Sequence, residues 1–348
     1  MEYPLIGKLK GSDVLTRHAD NPLLSREDVP YDCCLVFNAG VAKYQGRYVM
    51  VFRNDYGECG VKVTGTNLGV AYSNDGVKWD VTDKPCWTTE DVIRATRDLY
   101  GTAIDSSDIQ RVYDPRLTVI DGRCYVCLAT DTKHGLRGGI AVTDDFEHFE
   151  MLSLSAPDNR NMALFPEKIG GNYVRLERPM LFTGAGCGQR PDRFHTWMSE
   201  SPDMKYWGNS RPVLGAEHVP FANDKVGPAA PPVKTDKGWL TTFHAVDIDP
   251  SRGKNGWEDF WRKRYTMGIM LLDLEQPGEV IGMSKTPLMV PEADYETTGG
   301  FRNYAIFPCG MLLEDNGEVK IYYGAADTTT CLATADVNDL IALCTDRP

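Results

Sequence analysis

The sequence predicts an all-β fold, a five-bladed β-propeller built as a single domain over residues 1–348 with loop insertions. Three observations lead there: a glycine-centred hairpin recurs five times, each hairpin is followed by a further strand with a polar turn, and long helical periodicity is nearly absent between them.

The hairpins span 41–52 about Gly46, 117–126 about Gly122, 167–176 about Gly171, 233–243 about Gly238 and 311–323 about Gly317. Asp-Gly, Gly-Gly and Asn-Gly pairs among these turns supply the positive φ that tight hairpins need. The strands that follow run over 69–79, 140–149 and 197–207 and close on Trp79, Phe149 and Trp207, whereas 268–274 and 331–336 keep the strand and lose the aromatic. Two insertions interrupt the rhythm. Residues 88–107 hold a predicted helix around 90–100, and 249–263 form an aromatic, basic loop with Trp257, Phe260 and Trp261. Such loops either shape a binding mouth or seal a blade edge or subunit contact, and both readings stay open, a homo-oligomer included. The glycine cluster at 184–188 is not set between a strand and a helix, so it reads as a turn rather than a phosphate cradle.

Composition narrows the function. Of the 348 residues 42% are hydrophobic and 10% aromatic, enough for a large core and for a carbohydrate cleft. A formal net charge of −12 disfavours nucleic acid and anionic membrane as partners, because either needs a continuous basic surface. No long apolar run and no charged-then-apolar leader occurs, so no membrane association and a cytoplasmic location are expected. The ten cysteines are scattered and several lie in strand-like runs, which predicts reduced, mostly buried thiols. Cys124 and Cys127 fall in one strand and face opposite sides, so their spacing does not make a metal or redox site. With no histidine pair at ligand spacing, neither a metal nor an organic cofactor is expected.

Inner strands of a propeller converge on its axis, so the segments just ahead of the hairpins are read as a set: Phe37-Asn38-Ala39-Gly40, Tyr113-Asp114-Pro115-Arg116, Leu164-Phe165-Pro166-Glu167, Gly227-Pro228-Ala229-Ala230-Pro231 and Ile306-Phe307-Pro308-Cys309. Asp114, between an aromatic and a proline at a strand start, is a candidate catalytic carboxyl with a raised pKa; the alternative is a satisfied turn aspartate.

Taken in order with Asn21-Pro22-Leu23-Leu24, Phe52-Arg53-Asn54-Asp55, Glu177-Arg178-Pro179, Lys225-Val226-Gly227-Pro228, Phe243-His244 and Tyr322-Tyr323-Gly324-Ala325-Ala326-Asp327, these segments resemble glycoside hydrolase family 130, the β-mannoside phosphorylases and related β-mannosidases. The resemblance runs from about 21 to 339. It implies that Asp114 is the general acid, its proton reaching the glycosidic oxygen through the mannose 3-hydroxyl, and that Asn38, Arg53, Asp55, Tyr113 and Asp327 hold the mannose ring. It also implies a phosphate clamp of Arg160, Arg178, His244 and Tyr265, with Lys225 adding charge there or meeting the acceptor. A phosphorylase needs such a clamp in place of a second carboxylate base, because phosphate arrives already nucleophilic. The expected activity is therefore reversible, inverting phosphorolysis of a β-mannoside, β-1,2-mannobiose or a short β-mannooligosaccharide, with inorganic phosphate as co-substrate and α-mannose 1-phosphate as product. The competing readings are a β-mannosidase of the same fold, with an acidic residue near the axis such as Glu167 as base, and a mannoside-binding propeller without catalysis.

Overall fold

The glycine turns close their hairpins where the spacing places them, and the strands they join build five separate sheets in a propeller arrangement. The structure is a computed structural model that describes residues 4–101, 108–180, 194–253, 255–257 and 261–345; the cluster at 184–188 and Phe260 lie outside the described residues.

Strand β1 (Thr16–Arg17) comes first in the chain but belongs to the last blade. Blade one holds β2 (Leu35–Tyr44), β3 (Arg47–Glu58), β4 (Lys62–Ser73) and β5 (Asp80–Val81). Helix α1 (Thr89–Tyr100) leads into blade two, β6 (Ile109–Ile120), β7 (Arg123–Thr132), β8 (Gly135–Thr143) and β9 (Glu150–Leu154). Blade three is β10 (Asn159–Leu164), β11 (Tyr173–Pro179), β12 (Thr196–Ser201) and β13 (Gly208–Leu214). In blade four β14 (Lys225–Pro228) and β15 (Val233–Lys234) share β16 (Trp239–Ile248), followed by β17 (Lys263–Leu272) and β18 (Val280–Met283). Helix α2 (Asp294–Thr297) precedes β19 (Ile306–Leu313), β20 (Glu318–Ala325) and β21 (Thr329–Asp336), and α3 (Val337–Thr345) ends the chain. β1 pairs with β21, so the fifth blade takes its outer strand from the other end of the sequence.

The repeat is marked by an aspartate more than by an aromatic. After the third strand of blades one to four, one carboxylate oxygen accepts two backbone N–H bonds and shapes the turn, at Asp75, Asp145, Asp203 and Asp273, and in blade five Asp336, the last residue of β21, accepts one from Asn338. The closing aromatics fill the seams between blades. Trp79 meets Tyr322 of blade five edge-on at 5.9 Å, and Phe149 stacks at 4.3 Å on Trp87, which follows blade one.

The two insertions take different roles. Helix α1 is capped by Thr88 and Asp91 and packs its buried Val92 into the core shared by blades one and two, so it seals a seam. The 249–263 loop instead reaches the axial cavity through Trp261.

One cysteine expectation fails. Cys34, just ahead of β2, and Cys59, in the β3–β4 turn, are 5.1 Å apart at Cα and form a disulfide. Antiparallel pairing of β2 with β3, which sets Leu35 opposite Asp55, brings them to the same end of the sheet. Cys124, Cys127, Cys309, Cys331 and Cys344 are free and buried as expected, and burial pushes each thiol up to about 12. Cys124 and Cys127 do face different core clusters.

Candidate active site

The site lies at the ends of the inner strands remote from the glycine turns, where three of those strands carry the same irregularity. The register slips between Phe37 and Gly40, between Tyr113 and Arg116, and between Arg160 and Ala163. Inside each slip one residue is left-handed: Asn38 (φ 51°), Asp114 (φ 53°) and Asn161 (φ 59°). Asparagine and aspartate tolerate this conformation best among residues with a Cβ, and a β-bulge re-aims a side chain. All three line one cavity of about 300 Å³. The blade-three counterpart of Asp114 is therefore Asn161, and the expectation that placed it at 164–167 is corrected: Leu164 ends β10, and Glu167 pairs with Lys234 at 2.6 Å on the surface, far along the strand from the bulge.

Close approach of the blades makes this possible. A Cβ on Gly40 would lie 2.8 Å from Arg116 Cα and 2.9 Å from the Pro115 carbonyl, so the first two inner strands touch only because residue 40 is glycine. Arg116 is 2% exposed; it donates through Nε to the Ala229 carbonyl and through Nη1, at 3.3 Å, to that of Asp114, pinning the bulge to blade four.

Asp114 is gripped through one oxygen. Asn38 Nδ2 donates to Oδ1 at 2.9 Å and Arg53 Nη1 approaches it at 3.3 Å. No hydrogen bond to Oδ2 occurs among the described residues. Burial alone would raise this carboxyl, as the sequence suggests, but Arg53, the Asn38 bond, Arg116 and Arg160 outweigh it and hold the group below the ordinary aspartate range. The expected raised pKa is thus reversed. Arg53 is itself fixed by a two-pronged pair with Asp55, at 2.7 and 2.6 Å, and lies over the rings of Phe37 and Tyr113. Asp327 closes the far wall; burial raises its pKa against the pull of Arg302 and Arg53.

Arg160 and Arg178 face each other across β10 and β11 as direct ladder partners, both line the cavity, and neither has a carboxylate partner among the described residues. Such like charges repel. Burial, then the charge of Arg160, pushes Arg178 down to about 9. His244 stands behind: its Nε2 accepts from Arg178 Nη1 at 2.7 Å while Nδ1 contacts the Pro228 carbonyl at 3.2 Å, and burial and Arg178 keep the ring neutral. Gly227 permits this contact, since a Cβ there would lie 2.7 Å from His244 Nε2 and 2.8 Å from Arg178 Cδ. Tyr265 lines the cavity and is stacked on His244 with centroids 6.0 Å apart. Lys225 is buried behind Tyr265, its Nζ 5.3 Å from that ring and 3.6 Å from Asp224; burial, Arg178 and Lys263 lower its pKa.

All eleven residues singled out from the sequence therefore belong to one neighbourhood, with Lys225 and His244 one layer behind the wall. Sequence reasoning missed Arg111, Asp131, Asn161 and Arg302, which also line the cavity. Tyr113 Oη donates to Asp131 at 2.7 Å, and Arg111 lies 3.7 Å from the same carboxylate. Asn161 carried a signal, an asparagine at the bulge position beside a candidate arginine. Arg302 carried none.

The family profile described as beta-1,4-mannooligosaccharide phosphorylase matches residues 13–346. A beta-1,4-mannooligosaccharide phosphorylase of Ruminococcus albus is 32% identical over 342 residues, covering 94% of this chain and 90% of that protein. A 1,2-beta-oligomannan phosphorylase of Thermoanaerobacter is 28% identical and covers 94% of this chain and 98% of its own. Among solved structures, a beta-1,2-mannobiose phosphorylase from Listeria innocua in complex with beta-1,2-mannobiose superposes with a TM-score of 0.75 at 24% identity, covering 94% of this chain and 98% of that one. With the five-bladed fold, the arginine-lined cavity and a profile match over nearly its whole length, this chain belongs to glycoside hydrolase family 130, the family of the mannoside phosphorylases.

Proposed function

We propose that the protein is an inverting β-mannoside phosphorylase. Inorganic phosphate, held by Arg160, Arg178 and Tyr265, attacks the anomeric carbon of a β-mannoside. The new carbon–oxygen bond to phosphate forms as the glycosidic bond breaks, and the leaving oxygen takes the proton of Asp114, through the mannose 3-hydroxyl as the family resemblance implies. The products are α-mannose 1-phosphate and a shortened acceptor. Asn38, Arg53, Asp55, Tyr113 and Asp327 hold the mannose, and His244 and Lys225 support the anion site from behind.

The observation that carries this reading is a pair of guanidiniums, buried Arg178 and half-buried Arg160, without a carboxylate partner among the described residues, in the same cavity as Asp114. Two adjacent guanidiniums, one of them fully buried, are costly to hold together unless an anion joins them. A hydrolase would need a free carboxylate base instead. The cavity's other carboxylates each have a partner: Asp55 has Arg53, Asp131 has Tyr113, and Asp327 has Arg302. Glu167 is occupied at the surface by Lys234.

The reaction is drawn without metal or organic cofactor, in the cytoplasm, with no nucleic-acid or membrane partner; no helix among the described residues is long and apolar enough to cross a membrane. Relatives are named for both β-1,4 and β-1,2 linkages. The substrate we assign is a short β-mannooligosaccharide such as β-1,2-mannobiose. Incubation with β-1,2- and β-1,4-mannobiose, with and without phosphate, tests this. Mannose 1-phosphate is expected only with phosphate, and Arg178→Ala should raise the phosphate KM about 10- to 100-fold. Free mannose released equally without phosphate would establish the hydrolase, and binding without any product the sugar-binding propeller.

A further inference from the structure

The 249–263 insertion lies outside the blade pattern, yet its described residues grip one short segment of the cavity wall. Trp257 N donates to the Phe301 carbonyl at 3.0 Å, and Asn255 Nδ2 and Trp261 Nε1 both donate to the Asn303 carbonyl, at 2.9 and 3.0 Å. Between those two carbonyls stands Arg302, whose own N–H donates to the Ala326 carbonyl at 2.9 Å. Its guanidinium lies 4.9 Å from the centre of the Trp261 ring and 4.9 Å from that of Phe301, and Nη1 is 3.3 Å from Asp327 Oδ2. Trp261 is fixed in turn, nearly parallel to Tyr265 at 5.7 Å.

We propose that Arg302, held against Trp261 of the insertion, is a positioning residue that pairs with the half-buried Asp327 carboxylate and aims it at the sugar. The proposal rests on the phosphorylase reading for the identity of that sugar, and it gives the insertion a task in substrate recognition.

Charge bookkeeping shows why a second cation is needed. Three carboxylates, Asp55, Asp114 and Asp327, surround Arg53, which already gives both prongs to Asp55 and one contact to Asp114. Asp327 is half-buried, faces the like charge of Asp114, and has the Cys309 thiol nearby; Arg302 and Arg53 are the cations that oppose the desolvation. A carboxylate accepts hydrogen bonds from sugar hydroxyls through both oxygens, whereas its protonated form gives up part of that capacity. A planar guanidinium over an aromatic ring holds an orientation that an ammonium does not.

The test compares Arg302→Met, Arg302→Lys and Trp261→Phe with the parent, by the KM for β-mannobiose and for phosphate between pH 5 and 8 and by calorimetric β-mannobiose binding without phosphate. Removing the Arg302 charge raises the Asp327 pKa, so mannoside binding is lost as pH falls, starting from a higher pH than in the parent. At pH 7 Arg302→Met should raise the mannoside KM about 10- to 100-fold with the phosphate KM within about two-fold. Arg302→Lys should recover the pH limb better than the affinity, and Trp261→Phe should weaken affinity in the same direction by less. A mannoside affinity and pH limb unchanged in Arg302→Met, or equal losses for both substrates, would overturn the proposal. Should Arg302→Met not fold, as judged by its thermal midpoint, the lysine and Trp261 variants decide it by the same limb. The outcomes separate from those of the function itself: calorimetry reads the limb whether or not mannose 1-phosphate is made, and phosphate-dependent product from the parent stands whatever Arg302 does.

Discussion

Asp114 poses a question of timing. The general acid of the proposed reaction must carry a proton, yet Arg53, Asn38, Arg116 and Arg160 together overcome burial and hold the Asp114 carboxyl low. A phosphate bound between Arg160 and Arg178, as proposed, would add negative charge beside Arg160, one of the cations that lower Asp114, and so would raise the proton affinity of Asp114. On the proposed mechanism the acid is thus loaded by arrival of the co-substrate. The alkaline limb of mannoside turnover should accordingly move to higher pH as phosphate is raised to saturation, and pH–rate profiles at limiting and saturating phosphate check this; a limb indifferent to phosphate would refute it. Asp114→Asn should lower kcat about 100- to 10,000-fold without lowering the thermal midpoint.

At the scale of the element, the β-bulge turns a sheet into a site. Three inner strands use the same device, and the contact at Gly40 lets two of them approach closely enough for Asn38 to reach Asp114. Gly40→Ala should cost about 1–3 kcal/mol in urea unfolding, because the methyl meets the backbone of Arg116 and Leu117 rather than a yielding side chain, and kcat should fall with it. The hairpins were legible in the sequence because a tight turn demands glycine at a fixed place, as at Gly46 and Gly122. The bulges were only half legible: Asn38 and Asp114 stood beside recognisable neighbours, while Asn161 sat three residues ahead of the Leu-Phe-Pro segment that drew the comparison away from it. The pairing of Cys34 with Cys59 and the docking of Trp261 on Asn303 depend on how long hairpins and loops fold back, and local residue patterns do not encode that.

Across the whole molecule, the ring is completed by very little chain. β1 contributes Thr16 and Arg17, opposite Thr334 and Ala333, and the junction is reinforced where Arg17 makes a two-pronged pair with Glu296, which is wholly buried. Asn21 adds bonds in both directions to the Leu332 backbone at 2.8 Å. Arg17→Ala strands the Glu296 charge, although the Tyr323 hydroxyl and the backbone N–H groups of Glu292 and Ala293 still reach it. A loss of about 3 kcal/mol is therefore expected, measured by urea denaturation. The closure also bears on biosynthesis. The segment that finishes the fifth blade leaves the ribosome long before its partners at 333 and 334. During translation the four blades between can form in order, but the strand at 16–17 has to wait, its edge unpaired, until residues 333 and 334 have emerged.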